Sequence, residues 1–383
     1  MDTASAFVPL WDRRAEWTRR MAMIRDATSF LYVSTFYIEY DEYAVEFLDA
    51  LDDARRRGVA VNLLIDGFGQ RLGGVVMSPA SRAALAAKLD RLRAAGADVA
   101  IYRPGRRLQR WLGGGHHVKI QVSEGGEAIF GSSNITRASF EGWNEYSVAV
   151  RGSVVAALLD SYADIGGAVD EAHAAHLRAL ANDETSGVAM DYWFCNPNLL
   201  QDAGGPLGWG GANLVTDRLV EMIAAARRSI LITSFYFKPV EPLLAALADA
   251  AARGVRVEIH HSHRDALPAT ELAWIAAAAH YPRLLAAGVT IYENRHGEHS
   301  KIVLVDDDRV AFGSYNFEHA AHDRLAEAML VTRDPSAVRP AQAIFAELRQ
   351  HPDNVQVTHQ WLSALSARLR LKRALLSPFK RWM

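Results

Sequence analysis

Short apolar runs of strand length alternate along the chain with longer stretches of helical periodicity. The run SFLYVSTFYI, from Ser29, is followed by the helical pattern DEYAVEFLDALDDARRRGV, the strand-like VNLLID and an alanine-rich stretch that ends at the glycine of AAGADVAIY. The same order recurs from Ser229 in SILITSFYF, EPLLAALADAAARGV, VEIHH and AAGVTIY. This alternation predicts an α/β fold in which a mainly parallel or mixed β-sheet is flanked by helices.

The two halves also share a motif at a constant offset of 182 positions (299 − 117). HVKIQVSEGGEAIFGSSNI begins at His117, and HSKIVLVDDDRVAFGSYNF begins at His299. The same offset relates Lys119 to Lys301, Ser132 to Ser314, Asn134 to Asn316 and Glu145 to Glu327. Because one copy alone is an incomplete site, we expect two pseudo-symmetric lobes about a two-fold axis, with the active site at their interface.

The repeat divides the chain into four segments. We assign residues 1–171 to the first lobe, 172–212 to a linker, 213–350 to the second lobe and 351–383 to a basic amphipathic tail. The linker contains DAGGPLGWGGAN, whose glycines predict a surface loop. In the tail, one side of a helix ended by Pro378 would carry the apolar residues Trp361, Leu362, Leu365, Leu369, Leu376 and Phe379.

The repeated motif carries the groups that phosphodiester cleavage requires. In a strand, residues two apart point to the same face, so each His projects beside its Lys. One neutral imidazole can attack phosphorus, and a second, protonated imidazole can donate a proton to the leaving alkoxide. Preorganised donors must hold the non-bridging oxygens, and two lysines with Asn134 and Asn316 would supply them without a metal.

Each imidazole also needs a partner that fixes its tautomer, and a carboxylate serves this purpose. Glu145 and Glu327 each lie 28 positions after the histidine of their own half (145 − 117 and 327 − 299), so they are the best candidates. Ser132 and Ser314 are candidates for contact with the substrate, although both could equally be turn residues.

His-x-Lys, an acidic residue seven positions after the His, and Gly-Ser-x-Asn together resemble the motif of the phospholipase D superfamily. The resemblance covers both halves and implies one site built from both motifs. It implies a covalent phosphohistidine on His117, with His299 as the general acid, although the order could be reversed. It also implies a structural role for the acid of each motif, which is Asp306 in the second half but Glu124 in the first.

Within the superfamily, LLIDGFG, IYRPGRRLQRW and VVAALLDSYADIG are most similar to the bacterial cardiolipin synthase group. This implies transfer of a phosphatidyl group between a glycerophospholipid and an alcohol, or hydrolysis where water is the acceptor. Two alternatives stay open: a nuclease or nucleic-acid phosphodiesterase of the same superfamily, and a non-enzymatic lipid-binding protein with a decayed site.

Charge favours an anionic lipid partner over a nucleic acid. Residues 361–383 carry six basic residues and no acid, which leaves 36 of the 42 basic residues against all 44 acids, a net charge of −8. An acidic body argues against nucleic-acid binding, whereas a basic tail suits an anionic membrane surface. A single cysteine, no secretory signal and no apolar run of membrane-spanning length predict a cytoplasmic protein, peripheral at the inner face of the cell membrane.

Two further stretches are candidates for lipid contact. The loop before the first motif contains Arg103, Arg107 and Trp111, and basic residues beside an aromatic suit the headgroup zone of a bilayer. The segments YIEYDEY and SFYFKP follow strand ends, where they could line an acyl cleft.

The other histidines point to no cofactor. His116 and His296 neighbour the motifs and are interpreted as supporting or incidental residues. The group His260, His261 and His263 has no cysteine or carboxylate at metal-ligand spacing, so we expect hydrogen-bonded residues rather than a metal site. The glycines at 113–115 predict a flexible loop more than a phosphate cradle.

Overall fold

The fold of the first half is a seven-stranded mixed sheet with helices. A computed structural model describes residues 2–182, 187–199, 211–267 and 271–376. The sheet has the strand order β2-β9-β8-β7-β3-β4-β5. Strands of this half are β1 Asp2–Ala4, β2 Ala6–Leu10, β3 Phe30–Thr35, β4 Ala60–Asp66, β5 Asp98–Tyr102, β6 Gly115–His116, β7 Lys119–Ser123, β8 Glu127–Gly131 and β9 Ser147–Arg151. Its helices are α1 Arg13–Asp26, α2 Glu42–Arg56, α3 Gly67–Val76, α4 Pro79–Ala94, α5 Arg107–Trp111, α6 Ser153–Asp164 and α7 Glu171–Asn182.

The second half repeats this arrangement in a larger sheet of order β1-β10-β18-β16-β15-β11-β13-β14-β19, to which β6 adds by pairing with β18. Its strands are β10 Val188–Cys195, β11 Ser229–Ser234, β12 Phe237–Lys238, β13 Arg256–Ser262, β14 Thr290–Asn294, β15 Ile302–Val305, β16 Arg309–Gly313, β17 Phe317–Glu318, β18 Leu325–Thr332 and β19 Asn354–Val357. Its helices are α8 Leu214–Ala224, α9 Glu241–Ala252, α10 Leu272–Ala278, α11 Tyr281–Ala286, α12 His319–Asp323, α13 Pro335–Arg349, α14 His359–Ala364 and α15 Ala367–Leu376. The α/β prediction of two pseudo-symmetric lobes is confirmed.

Strands buried on both faces explain the near-continuous apolar runs in the sequence. Phe30 and Tyr32 of β3 face a core shared by both sheets, whereas Leu31 and Val33 face a separate core beneath the first lobe's helices. Side chains alternate between the faces of a strand, so both faces must be apolar where helices or a second sheet cover each one. The shared core also contains residues of α6 and α13, and it joins the lobes.

The segment assigned to the linker contains regular structure. It includes α7 and β10, and β10 pairs antiparallel with both β1 and β18. The N-terminal strand of the chain therefore lies in the second sheet. Most of the glycine-rich stretch DAGGPLGWGGAN lies outside the described residues.

The predicted tail begins with a strand of the second sheet, because β19 pairs with β14. It continues as two helices, α14 and α15, so the single amphipathic helix of the prediction is wrong. Leu362 and Leu369 are buried in the second lobe's core, and Trp361, Leu365 and Leu376 pack against it. Pro378 and Phe379 lie outside the described residues. Among the residues described, we find no helix long and apolar enough to cross a bilayer.

Candidate active site

The backbone of each motif histidine is hydrogen-bonded to the other lobe. The backbone N–H of His117 donates to the carbonyl of Ala326 at 2.8 Å, and that of His299 donates to the carbonyl of Asn144 at 2.8 Å. These acceptors are themselves related by the 182-residue offset (326 − 144), so the pairing is symmetric. Each histidine thus lies beside the residue that precedes the other half's glutamate.

The carboxylates consequently pair across the lobes. His299 Nδ1 lies 2.7 Å from Glu145 Oε2, and His117 Nδ1 lies 3.2 Å from the nearer oxygen of Glu327. His117 Nδ1 also donates to the carbonyl oxygen of Ser314 at 2.9 Å. Each glutamate therefore contacts the histidine of the other half, which equal spacing along the chain does not reveal.

The two glutamates differ in the direction in which their pKa values are shifted. Burial alone would raise the pKa of Glu145, but His299 and Lys301 lower it to about 2. Burial raises the pKa of Glu327 well above its ordinary value, despite Lys119. Burial and the neighbouring lysines lower the pKa of His117 well below its ordinary value, whereas the pKa of His299 falls only to about 4 because Glu145 opposes the effect. His299 is therefore the more readily protonated ring.

The two lysines are buried beneath the histidines. Lys119 Nζ donates to the carbonyl of His117 at 2.6 Å, and Lys301 Nζ donates to the carbonyl of His299. Burial lowers the pKa of Lys301 to about 8, although Glu145 raises it, and burial together with Lys301 lowers the pKa of Lys119 well below its ordinary value. Neither lysine lines the cavity described below, so contact of their Nζ atoms with a phosphate stays a prediction.

Each asparagine follows a glycine-serine turn at the end of a hairpin. A Cβ on Gly131 would lie 2.4 Å from the carbonyl oxygen of Tyr146, and one on Gly313 would lie 2.2 Å from that of Ala328, so only glycine fits there. The buried side-chain amide nitrogen of Asn134 has no hydrogen-bond partner among the described residues. The Asn316 amide nitrogen makes one long hydrogen bond of 3.4 Å to Glu318.

The serines of these turns support the site from beneath. Ser314 Oγ donates to the carboxylate of Glu327, and it accepts from the backbone N–H of Ala328 at 3.0 Å. Ser132 Oγ accepts from the N–H of Tyr146 at 2.9 Å. Both serines are fully buried. Neither lines the cavity described next, so the expected substrate contact does not follow from their positions.

Both histidines and both asparagines line one cavity of about 180 Å³. Most of its remaining walls are aromatic or aliphatic: the lining residues are Phe36, Tyr37, Glu39, Leu72, Gly73, Val75, Val76, Trp143, Phe235 and Tyr236. The stretches YIEYDEY and SFYFKP therefore contribute to the cavity walls. Apolar walls around a few convergent polar groups are typical of a site for an amphiphilic ligand.

Three aromatic rings hold the histidines in place. The ring centroid of Trp143 lies 5.0 Å from that of His299 in a stacked arrangement, and Phe235 contacts the same ring edge-on at 4.6 Å. Phe36 contacts His117 edge-on at 4.8 Å. Phe36 and Phe235 belong to a Phe-Tyr pair that is repeated in both halves. The repeat of this pair is visible in the sequence, but it did not indicate contact with the histidines. Trp143 was missed, because the 182-residue offset relates it to Leu325.

The motif acids lie away from the cavity. The Asp306 carboxylate accepts N–H groups of Arg227, Arg228 and Ser229, at 2.6 Å for Arg228. Glu124 accepts from the N–H of Thr28 at 2.5 Å. Each acid thus ties the turn after the motif strand to the start of the first long strand of its lobe, and the longer glutamate preserves that tie.

The basic loop does not reach the catalytic cavity. Arg103 lines a separate surface cleft of about 270 Å³, and neither Arg107 nor Trp111 lines either of the two cavities. All three side chains are exposed, Trp111 to 77 %. Their predicted role in substrate binding therefore has no support from contact with the catalytic cavity.

The clustered histidines His260, His261 and His263 are held by hydrogen bonds of their rings. His260 Nε2 lies 2.8 Å from Glu258, and His261 Nε2 lies 2.8 Å from the Tyr281 hydroxyl. Burial lowers the pKa of His116 to about 3. Gly115, at the end of the glycine run, packs against the Asp66 carboxylate, where an added Cβ would lie 2.5 Å away. In the part of the chain that the structure describes, no group of three or more His, Cys, Asp or Glu side chains could hold a metal ion.

These features define a two-lobed α/β protein with a symmetric His-Lys-Asn centre at the lobe interface. The family model for the cardiolipin synthase, PLD-like domain matches twice, at residues 21–165 and 219–349. The chain belongs to this phospholipase D-like family. The two matches coincide with the two lobes that carry the repeated motif.

Curated relatives agree with this assignment at low identity. The chain is 27 % identical over 318 residues to cardiolipin synthase of Geobacillus kaustophilus, covering 78 % of this chain and 57 % of that protein. It is 26 % identical over 351 residues to cardiolipin synthase 2 of Bacillus cereus, covering 88 % of this chain and 63 % of that protein. The chain thus spans about three fifths of the length of these relatives.

Solved structures share the fold. Phosphatidylserine synthase of Haemophilus influenzae superposes with a TM-score of 0.72 at 16 % identity, covering 99 % of this chain and 94 % of that one. Polyphosphate kinase of Porphyromonas gingivalis superposes with a TM-score of 0.54 at 11 % identity, covering 98 % of this chain and 55 % of that one. At such identities the likeness establishes the fold alone.

Proposed function

We propose that the protein is a phosphatidyltransferase that transfers a phosphatidyl group through a phosphohistidine, as a cardiolipin synthase-like enzyme. One observation carries this proposal: two imidazoles, each anchored through Nδ1 to the opposite lobe, line one cavity whose walls are mostly apolar. An anchored Nδ1 leaves Nε2 for the reaction. The apolar walls and the cardiolipin synthase relatives favour a glycerophospholipid, and the acidic body of the chain disfavours a nucleic acid.

The reaction is a double displacement in which His117 is the nucleophile and His299 is first the general acid and then the general base. The Nε2 lone pair of His117 attacks phosphorus, the bond from phosphorus to the leaving alcohol oxygen breaks, and His299 Nε2 gives that oxygen its proton. His299 then takes the proton of an incoming hydroxyl, whose oxygen attacks phosphorus and releases His117. Water as acceptor would give hydrolysis. Lys119, Lys301, Asn134 and Asn316 hold the non-bridging oxygens throughout.

The different surroundings of the two rings support this order. The Ser314 carbonyl accepts the Nδ1 proton of His117, which keeps that ring in the neutral tautomer with a free Nε2 lone pair. Ionised Glu145 stabilises a protonated His299. A bound phosphodiester anion adds negative charge beside His299 and raises the pKa of its ring from about 4 towards the value that a general acid needs.

Leaving-group chemistry tests the two roles. An alkyl alcohol requires a proton when it leaves, whereas nitrophenolate leaves without one. We therefore expect His299→Ala to retain most of the first-turnover release of nitrophenol from a nitrophenyl phosphodiester, and to lose release of an alkyl alcohol. His117→Ala loses both, with far-ultraviolet circular dichroism unchanged. A His117→Ala protein that still releases nitrophenol would assign the nucleophile elsewhere.

Product analysis tests the substrate class. Purified protein incubated with phosphatidylglycerol vesicles is expected to form cardiolipin, and added glycerol or ethanolamine should shift the products seen by mass spectrometry. Cleavage of DNA without any lipid product would overturn the lipid assignment. Action on the lipids of a bilayer requires contact with its surface, and a position at the inner face of the cell membrane stays a prediction.

A further inference from the structure

Helix α3 packs on the protein through its glycines. Gly69 and Gly73 are buried, and a Cβ on Gly69 would lie 2.2 Å from the carbonyl oxygen of Phe36. A Cβ on Gly73 would lie 2.7 Å from the ring of Tyr37. The helix backbone therefore rests directly on the cavity wall formed by Phe36 and Tyr37.

Three large apolar side chains of α3 are exposed, whereas Phe68 packs against Phe36. Leu72, Val75 and Val76 are 47 %, 70 % and 43 % exposed, and all three also line the cavity rim. A surface helix of a globular protein normally turns such side chains toward the core. An exposed apolar group beside a ligand cavity is typical of an interaction surface.

Helix α5 extends this surface. Arg71 of α3 donates to the carbonyl oxygen of Arg110 in α5 at 3.0 Å, which joins the two helices. Leu108 and Trp111 of α5 are 43 % and 77 % exposed. We call these five apolar residues and the neighbouring exposed arginines the α3–α5 surface; the arginines are Arg71, Arg103, Arg106, Arg107 and Arg110.

The charge of this surface has one sign. Neither the α3 segment, residues 67–76, nor the α5 loop, residues 103–115, contains an acidic residue. Exposed apolar and aromatic side chains among arginines match the boundary of a bilayer, where apolar groups enter the acyl region and the cations meet anionic headgroups. Arg71 lies one position before Leu72, which lines the cavity, so the basic residues of this surface lie next to the cavity rim.

We propose that the α3–α5 surface docks the enzyme on an anionic phospholipid bilayer and presents the catalytic cavity to the lipids beneath it. The proposal rests on the proposed lipid function and names the surface through which the substrate enters. The C-terminal helix α15 also exposes two leucines, Leu371 at 61 % and Leu375 at 63 %, but neither lines the catalytic cavity.

Vesicle sedimentation of the full chain tests the proposal. Vesicles of phosphatidylglycerol should bind the wild type, and vesicles of phosphatidylcholine should bind it more weakly. Leu108→Glu and Val75→Glu should each lower the partition coefficient by about tenfold or more, because each sets a charge in the acyl boundary. Leu375→Glu is the matched control, since Leu375 is 63 % exposed on α15 and gains the same charge. It should bind within about twofold of the wild type.

The outcomes separate the docking proposal from the proposed chemistry. Wild-type protein that fails to sediment, variants at 75 and 108 that bind normally, or an equal loss in Leu375→Glu would each overturn the docking surface. Hydrolysis or transfer with a soluble short-chain phosphatidylglycerol tests the chemistry without a bilayer, and Leu108→Glu should retain it. A wild type that sediments but never turns over the soluble substrate would refute the function and leave the docking surface standing.

Discussion

The crossed pairs of histidine and glutamate show what one residue's place in the chain can and cannot reveal. The repeat identified His117, His299, Glu145 and Glu327 as candidates, since each type recurs at the same offset. It could not reveal the crossing, because the spacing of 28 positions is identical in both halves. The crossing arises from backbone pairing between residues 115–117 and 324–326, a contact between lobes that leaves no local pattern.

Replacing each glutamate with glutamine, which has nearly the same shape, tests the crossed pairing. If Glu145 serves the general acid His299, Glu145→Gln should slow release of an alkyl alcohol by about 10²- to 10⁴-fold, since the imidazolium loses its anionic partner. First-turnover release of nitrophenol should change far less. Glu327→Gln is the matched control and should slow both leaving groups by the same factor, because His117 attacks phosphorus in both reactions. Equal effects of Glu145→Gln on the two leaving groups would contradict the crossed assignment.

Helix α3 shows at the scale of one element why sequence patterns missed part of the cavity wall. The segment GFGQRLGGVV contains four glycines, which disfavour a helix. Two tertiary features override this propensity. The Asp66 carboxylate accepts the N–H of Gly69 at 2.6 Å and caps the helix start, and the glycine side then packs directly on Phe36.

Neighbouring glycines of α3 therefore respond differently to alanine. Gly69→Ala should lower the free energy of unfolding by about 1–3 kcal/mol, since its Cβ meets the Phe36 backbone and forces the helix away from the wall. Gly74→Ala should raise that free energy by up to about 1 kcal/mol, because helical alanine is favoured and the nearest atom to its Cβ, on Arg82, lies 3.6 Å away. Urea unfolding of both variants measures the difference. Equal stability of the two would contradict the close packing of α3.

The tail illustrates a second limit of pattern at this scale. Its amphipathic periodicity correctly indicated an apolar face that is buried, and Leu362 and Leu369 of that face are buried in the structure. Periodicity does not say what covers that face, so a membrane and the core of the second lobe were equally compatible with it. Helix α14 ends at Ala364 and α15 begins at Ala367, and each places one leucine, Leu362 or Leu369, in the core of the second lobe.

The two lobes are connected by strands that the first half contributes to the sheet of the second half, and not only by the segment between them. The β1 strand from the first residues pairs in the second sheet, and β6 pairs with β18 of the second half. The succession of strands and helices along each half followed from the alternation of elements and the repeat. The exchange of β1 and β6 did not, because short strands carry little periodic signal.

A substitution at the interface of the sheets tests whether the lobes unfold as one unit. Phe312 of the second sheet is buried, and its ring lies 5.9 Å from Phe7 and 5.4 Å from Tyr146, both of the first lobe. Phe312→Ala should cost about 3–5 kcal/mol, because it opens a cavity in the core that both sheets share. We expect calorimetry to show one transition, shifted as a whole to lower temperature.

Phe47→Ala provides the matched control, since Phe47 is equally buried but lies in the core that belongs to the first lobe alone. If the shared core couples the lobes, this variant also lowers the temperature of the same single transition, and the van't Hoff enthalpy stays close to the calorimetric one. Two transitions, of which Phe47→Ala moves only one, would show that the lobes unfold separately. In that case, unfolding of either lobe would separate the two histidines, because each lobe holds one of them.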